Sequence, residues 1–420
     1  MSTEEPPPAG ADERPLAGAR WLLAEPTRRV LDALAAGGAP VRFVGGCVRD
    51  TLIDPDLDTV DLDLASPLPP ERNIELLEAA GIRTVPTGIA HGTITAIARG
   101  RDYEITTLRE DLATDGRRAT VAYTACFLAD AARRDFTINA MSCDAEGRLY
   151  DPFAGRRDLA AGRIRFVGEP TARIREDYLR ILRFFRFFAR LGRERPPEAT
   201  LDALAAERDG LLRLSGERLR AELLKLLAGE RALPSLELMA ATGVWQTIFG
   251  AAPTLERFAR LRRLAPTADP ILKLAALIRG TIEPMPIAER LRLANRERDR
   301  LVELTTTTLP PLDQAPAELR CRAYRLGKQK LADRLRLAAA ESDTAPAELA
   351  AALATLDAFD LPRLPVGGRD LMELGIPPGP DLGTTLRRLE EAWIASDFTA
   401  DRKALLAMLR PLATTPGDAP

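Results

Sequence analysis

Apolar and polar positions change their period once along the chain, near residue 159. Before that point, short alternating runs are interleaved with helical stretches. Residues 26–36 carry apolar side chains at helical spacing, and "VRFVGG" (41–46) follows as a short strand running into a glycine turn. "TVDLDLAS" (59–66) reads as the next strand and "ERNIELLEAAG" (71–81) as a helix that Gly81 ends. "GTITAIARG" (92–100) and "RDYEITTLR" (101–109) read as two more strands, the second alternating over Tyr103, Ile105 and Thr107. The polar segment from Glu110 to Val121 has no clear period and predicts a mobile loop. From Leu159 onward the strand signal is gone. "TARIREDYLRILRFFRFFARLG" (171–192) and "SGERLRAELLKLL" (215–227) have helical spacing, followed by Ala/Leu/Arg-rich helices. Proline-containing breaks near 195–197, 283–286, 309–316 and 362–365 divide this helical part, and no repeat of fixed period is present.

At 420 residues the chain is too long for one ordinary core and implies two to four domains. A hydrophobic content of 46% with 29% charged residues belongs to a soluble globular protein. The single histidine, His91, argues against a Ser-His-Asp hydrolase or a multi-histidine metal site, and it reads as a turn or packing residue. Four cysteines without a CxxC pair point to a reducing compartment and no structural zinc. No apolar run approaches the roughly 18–20 residues that cross a bilayer. The acidic, proline-rich start is unlike a signal peptide and predicts a disordered tail over 1–22, with a second at 413–420. A cytoplasmic location without membrane attachment is expected.

A net charge of −2 argues against a wholly basic nucleic-acid binder, but the charge is uneven. From Arg156 to Arg190 ten arginines face four acids. A stripe of that kind suits phosphate backbones, and an Arg-rich solvated helix would look the same.

Candidate chemistry centres on Asp61 and Asp63. On a strand, side chains at i and i+2 leave by the same face, so both carboxylates would enter one site. Hard oxygen ligands on a rigid edge suit Mg²⁺ completed by substrate phosphates. Upstream, Gly45 and Gly46 let a backbone turn approach a triphosphate closely. Together these features predict metal-dependent nucleotidyl transfer. A second pair, Asp56 and Asp58, has the same spacing but follows a proline and reads as loop; it remains the alternative. Glu104 is the candidate third carboxylate of a two-metal site, or an ordinary outward strand residue. In "ARRDFTINAM" (132–141), Arg133 and Arg134 offer planar donors for phosphate or ribose oxygens. Asp135 could hold one of those arginines or a sugar hydroxyl, and Asn139 could bond the ribose; the run could also simply cap a helix.

"GGCVRD…DLDLA", "TGIAHGTITA", "YEITTLR", "RRDFTINAM", "DPFAG" and "REDYLRILRFFRF", in that order, resemble the class II tRNA nucleotidyltransferase/poly(A) polymerase family, a branch of the polymerase β-like nucleotidyltransferases. The likeness covers residues 40–230. It implies an α+β protein: a nucleotidyltransferase head with a mixed sheet and flanking helices (23–155), then an all-α neck (156–230) and a body and tail that bind tRNA (231–412). The resemblance places Gly45, Gly46 and Arg49 against the triphosphate with Asp50 supporting the turn, and two Mg²⁺ ions on Asp61 and Asp63. It puts Arg134 and Asp135 on the nucleotide's sugar and phosphates. "EDYLR" matches the base-selecting motif, whose Glu176, Asp177 and Arg180 would converge on one helical face and pair with the Watson–Crick edge of a base. Leu182, Phe184, Phe185, Phe187 and Phe188 read as core, and Arg183, Arg186 and Arg190 as residues facing RNA. Glu217, Arg218 and Glu222 match a supporting helix.

The sequence departs from the family between "VRD" and the aspartate pair, where Asp54 replaces a glycine and the pair sits two residues further on. "TGIAHGTITA" is similar to CCA-adding enzymes and differs from the basic stretch of poly(A) polymerases. The reading is CCA addition to the tRNA 3′ end from CTP and ATP, without an obligate protein partner. Poly(A) addition and partial (CC-only or A-only) addition stay as alternatives.

Overall fold

The computed structural model describes residues 14–57, 61–114, 119–342 and 346–409. The chain gathers into two compact units, one built on residues up to Pro253 together with Met285–Asn295, the other on Thr254–Pro284 and the residues from Arg296 on.

The first unit opens with a mixed sheet of seven strands. These are β1 (Arg42–Val44), β2 (Leu62–Ser66), β3 (Arg83–Gly88), β4 (Thr93–Ala98), β5 (Arg101–Thr107), β8 (Ser142–Cys143) and β9 (Leu149–Tyr150), in the order β3-β4-β5-β2-β1-β8-β9. Only β2 and β5 run parallel, in a register that sets Asp63 beside Glu104 and Leu64 beside Ile105. Because strand side chains alternate between faces, the apolar set Leu62, Leu64, Ile94, Ala96, Tyr103 and Ile105 is buried on one side. Helices α2 (Glu25–Ala35) and α4 (Pro70–Ala79) pack against the sheet, with Thr27 bonded to the Tyr103 hydroxyl at 3.0 Å. Asp63 and Glu104 leave by the opposite face.

Several expectations need correction. The tail expected through residue 22 is partly folded: Leu16, Trp21 and Leu22 are buried, and α1 (Arg20–Leu23) sends the Trp21 indole N–H to Thr51 at 2.8 Å. Most of the segment expected to be a mobile loop pairs as two antiparallel strands, β6 (Arg109–Thr114) and β7 (Ala119–Tyr123), while 115–118 lie outside the described residues. This ribbon is separate from the main sheet, and cross-strand hydrogen bonds define it, which a search for hydrophobic alternation does not register. The helix expected over 171–192 is broken into α7 (Pro170–Glu176) and α8 (Leu179–Leu191), with Asp177 extended at φ −155°, ψ 106°. Tyr178 is held there by Gly210, where a β-carbon would lie 2.0 Å from the phenol ring.

Between sheet and neck lie α3 (Gly46–Ile53), α5 (Phe127–Ala132) and α6 (Gly155–Ala161). Phe184, Phe185, Phe187 and Phe188 on α8 are buried, and Phe136 and Phe166 join them with ring centroids 4.8 to 6.2 Å apart. After α9 (Glu198–Ala206), α10 (Gly216–Ala228) and α11 (Ala232–Ala241) pack on α8. Ser235 of α11 donates to the Phe185 carbonyl at 2.7 Å. Residues 231–253 therefore pack with the neck, whereas the sequence grouped them with the body.

The second unit is helical among its described residues. Pro270–Ile278 is buried along most of its length, and a core forms around Leu319, Leu331, Leu335, Leu349 and Leu356. Arg300 bridges Asp269 and the buried Asp333.

Candidate active site

A cleft of about 1070 Å³ opens in the first unit between the sheet face bearing Asp63 and helices α8 and α10. Gly45, Gly46, Arg49, Asp63, Arg133, Arg134, Asp135, Asn139, Asp177, Arg180, Arg183, Arg186, Arg190 and Arg218 all line it. Residues spread from position 45 to position 218 thus meet at one surface.

The turn after β1 needs its glycine. Gly45 has φ 70° and ψ −116°, outside the regions open to residues with a β-carbon. A side chain there would also begin 3.2 Å from Arg134 Nη1. The turn feeds directly into α3, whose first N–H groups and dipole make a seat for anionic oxygen.

Asp63 is the second residue of β2, with Asp61 immediately before the strand and exposed. Burial pushes the Asp63 carboxyl up to about 6; Glu104 and then Asp61 add to this, and Arg134 opposes it. The buried Cys47 thiol behind it is pushed up to about 12 by its own burial and by Asp63. Carboxylates crowded in a partly dry place are what a divalent cation relieves. Among the described residues, no group of three such side chains is already gathered as a metal cage. Hard oxygen donors so placed fit a divalent cation of the kind that substrate phosphates complete. Of the alternative pair, Asp56 is exposed in a turn, and Asp58 lies outside the described residues.

Behind the turn runs a buried polar chain. Arg49 donates to both oxygens of Asp50 (2.9 and 3.0 Å) and to Asn139 Oδ1 (2.5 Å). Asn139 Nδ2 donates to Asp135 Oδ1 at 2.9 Å, and Asp135 Oδ2 accepts from Arg183 Nε at 2.6 Å. Burial alone would raise the Asp135 carboxyl, yet Arg183, Asn139 and the Phe136 N–H outweigh it and hold it below the ordinary range. The three arginines expected to face RNA all have carboxylate partners within the fold: Arg183 with Asp135, Arg186 with Glu222 (2.8 Å) and Arg190 with Asp50 (3.1 Å). Only Arg190 is half exposed.

At the opposite wall, Arg180 Nη1 donates to Glu176 Oε2 (2.5 Å) and to the Arg173 carbonyl (2.8 Å), and its Nη2 donates to the Arg133 carbonyl (3.1 Å). Asp177 does not share the helical face expected for it. As the residue at the break, it accepts from Leu179 N (3.1 Å) and from Arg218 of α10 (2.8 Å). Glu217 and Glu222 lie on the same α10. His91 closes a 3₁₀ turn (Ile89–His91), and its carbonyl accepts from Arg109 at 3.0 Å.

One site residue escaped the sequence reading. Asp130, buried in α5, accepts from Arg133 and Arg134 together. Its position three and four residues before the arginines on a helix was the available signal.

A mixed-sheet head with a glycine turn beside strand carboxylates, continuing into helical domains, defines a nucleotidyltransferase of the polymerase β-like class. Residues 41–165 match the poly(A) polymerase head domain, 195–258 the RNA and SrmB-binding site of polymerase A, and 288–409 tRNA nucleotidyltransferase domain 2. The chain is 34% identical to the mitochondrial CCA tRNA nucleotidyltransferase 1 of Danio rerio, over 88% of this chain and 86% of that one. It is 34% identical to the CCA-adding enzyme of Levilactobacillus brevis, over 91% and 96%. The Bacillus stearothermophilus CCA-adding enzyme in complex with CTP superposes with a TM-score of 0.71 at 28% identity, covering 93% of this chain and 98% of that one. The chain belongs to the CCA-adding enzyme family of tRNA nucleotidyltransferases. Enzymes of this kind generally use a divalent metal. Among the described residues, no helix is long and apolar enough to cross a membrane.

Proposed function

We propose that the protein adds C, C and A to the 3′ end of tRNA from CTP and ATP, releasing pyrophosphate. The observation that carries this reading is the meeting, in one cleft, of the glycine turn, the Asp63 carboxylate, the arginine cluster, Asp177 and Arg180, the last bonded to Glu176. A triphosphate on the α3 N-terminus would meet N–H groups of the turn, with Arg49 and Arg134 as cationic neighbours. Arg180, braced by Glu176 and two carbonyls, would present its remaining edge to the base, and Asp177, held by Arg218, would supply the acceptor. Selection would then come from protein donors and acceptors, without a nucleic-acid template.

Asp61 and Asp63 would hold Mg²⁺, with Glu104 as the neighbouring third carboxylate. When bound, two such ions activate the attacking hydroxyl and neutralise the departing pyrophosphate. Asp135 and Asn139 act chiefly by fixing Arg49 and Arg183, with the ribose within reach of the same network. Arg190 is the arginine of the α8 stripe most open to RNA. Residues 14–155 would form the catalytic head, 156–253 the neck, and helical segments beyond them would grip tRNA by its shape and phosphates. Four free cysteines fit a reducing compartment such as the cytoplasm.

The test is incubation with tRNA lacking its 3′ CCA and labelled CTP or ATP. Two C and one A per tRNA are expected. An ATP-only homopolymer would establish poly(A) addition, and CC or A alone a partial enzyme.

A further inference from the structure

We propose that Asp130 is a positioning residue for nucleotide binding, whose buried carboxylate locks Arg133 and Arg134 into the orientation that meets the incoming triphosphate. This rests on the nucleotidyl-transfer reading of the cleft. Asp130 lies in α5, and its side chain is 5% exposed, against 18% for Arg133 and 22% for Arg134. Oδ1 accepts from Arg133 Nε and Nη2 at 2.8 and 2.7 Å, and Oδ2 accepts from Arg134 Nη2 at 2.9 Å. Each oxygen therefore serves one guanidinium. A carboxylate this deep is tolerated only with close cationic partners, so the three charges form one unit. Both arginines line the cleft, while Asp130 stands behind them, outside the lining.

The clamp decides where the arginines point. With Nη2 of Arg134 taken by Asp130, its Nη1 is carried to the Gly45 turn, 3.2 Å from where a β-carbon would sit. The same guanidinium lies near enough to Asp63 to act on it electrostatically. Arg133, pinned by its side chain, offers its main-chain carbonyl to Arg180 Nη2 at 3.1 Å. One buried acid thus orients a phosphate donor and braces the arginine proposed to read the base. Without it, nucleotide binding would itself have to order two rotamer-rich side chains.

The experiment compares wild type, Asp130→Asn, Arg134→Ala and the double variant in CMP transfer to tRNA lacking CCA, with equilibrium dialysis against labelled CTP and a thermal midpoint for each. Asp130→Asn is isosteric but uncharged. It should raise KM for CTP about tenfold and weaken CTP binding to match, leaving KM for tRNA unchanged, with a lower thermal midpoint because two guanidinium groups lose a buried charged partner. In the Arg134→Ala background the same change should do clearly less, because the clamp has lost one of its clients. Unchanged KM for CTP would overturn the proposal, as would equal losses of affinity toward CTP and tRNA. Should Asp130→Asn fail to fold, Asp130→Glu keeps the charge but displaces both guanidinium groups, and unchanged CTP affinity in that variant would equally overturn it. Wild-type protein that transfers no CMP would defeat the tRNA reading alone, since dialysis still measures the clamp through CTP binding.

Discussion

Arg49 and Asn139, separated by 90 positions in sequence, are joined by a 2.5 Å hydrogen bond from Nη1 to Oδ1. Through Asn139 the link continues to Asp135 and Arg183, so the helix that begins at the glycine turn is tied to the helix that carries the neck. Asn139→Ala would leave a buried guanidinium nitrogen without its acceptor. Hydrogen bonds to charged groups contribute roughly 1.5–3 kcal/mol, so the variant should unfold at lower urea concentration by about 2 kcal/mol of stability. An unchanged midpoint would mean that Arg49 finds another acceptor.

Asp63→Asn removes charge from the carboxylate that faces Glu104. Transfer should fall at least ~10³-fold, the scale of several kcal/mol of lost charge stabilisation, while tRNA binding in a filter assay persists. Chelation with EDTA should match this loss and Mg²⁺ should reverse it. Asp56→Ala, at an exposed turn, should transfer normally; loss of activity there would move the ligand pair to Asp56 and Asp58.

Gly45→Ala forces a β-carbon onto a backbone at φ 70° and toward Arg134. Strain of order 1–3 kcal/mol is expected, and the turn can relieve it only by shifting. KM for CTP and ATP should rise more than tenfold with KM for tRNA little changed. Normal nucleotide kinetics would remove the turn from the triphosphate site.

Arg180→Ala should blur the choice among nucleotides more than it weakens RNA binding. A well-placed bidentate pair gives about 1–3 kcal/mol of discrimination, so misincorporation of UMP or GMP should rise on the order of 10- to 100-fold. Arg218→Ala, which frees Asp177, should act in the same direction but less strongly. Unaltered CTP/ATP selectivity in both variants would place base selection elsewhere.

Asp135 gives the protein an acid-sensitive joint. Its folded pKa lies below the ordinary carboxylate value of about 3.9, so below that value the unfolded chain binds the extra proton first. The stabilisation is full above the unfolded pKa and is lost as pH falls through the folded one. Unfolding free energy measured by urea between about pH 5 and pH 2 should therefore drop less steeply for Asp135→Asn than for wild type, from a lower starting value. Equal slopes would show that Asp135 contributes nothing to the acid limb.

Local pattern carried much of this molecule. The change from alternating to helical spacing separated the sheet from the helices that follow, and Gly45 announced a positive-φ turn because few other residues can occupy one. The apolar phenylalanines of α8 were legible as core from their spacing. Asp130 could have been read as well, since a helical carboxylate three and four positions before two arginines has few other places to go. The pairing of 109–114 with 119–123 was missed because backbone hydrogen bonds, which periodicity does not register, define it.

What the sequence determined by itself is chemistry and local conformation: which residues are glycines, acids and arginines, and where the chain prefers strand or helix. Only the tertiary structure decided who meets whom. The parallel pairing of β2 with β5 brought Asp63 beside Glu104, and a helix break at Asp177, beside the packing of Tyr178 on Gly210, set that carboxylate against Arg218. Those outcomes depend on register and on contacts between distant segments, and periodicity, which sees only a few residues at a time, has no access to either.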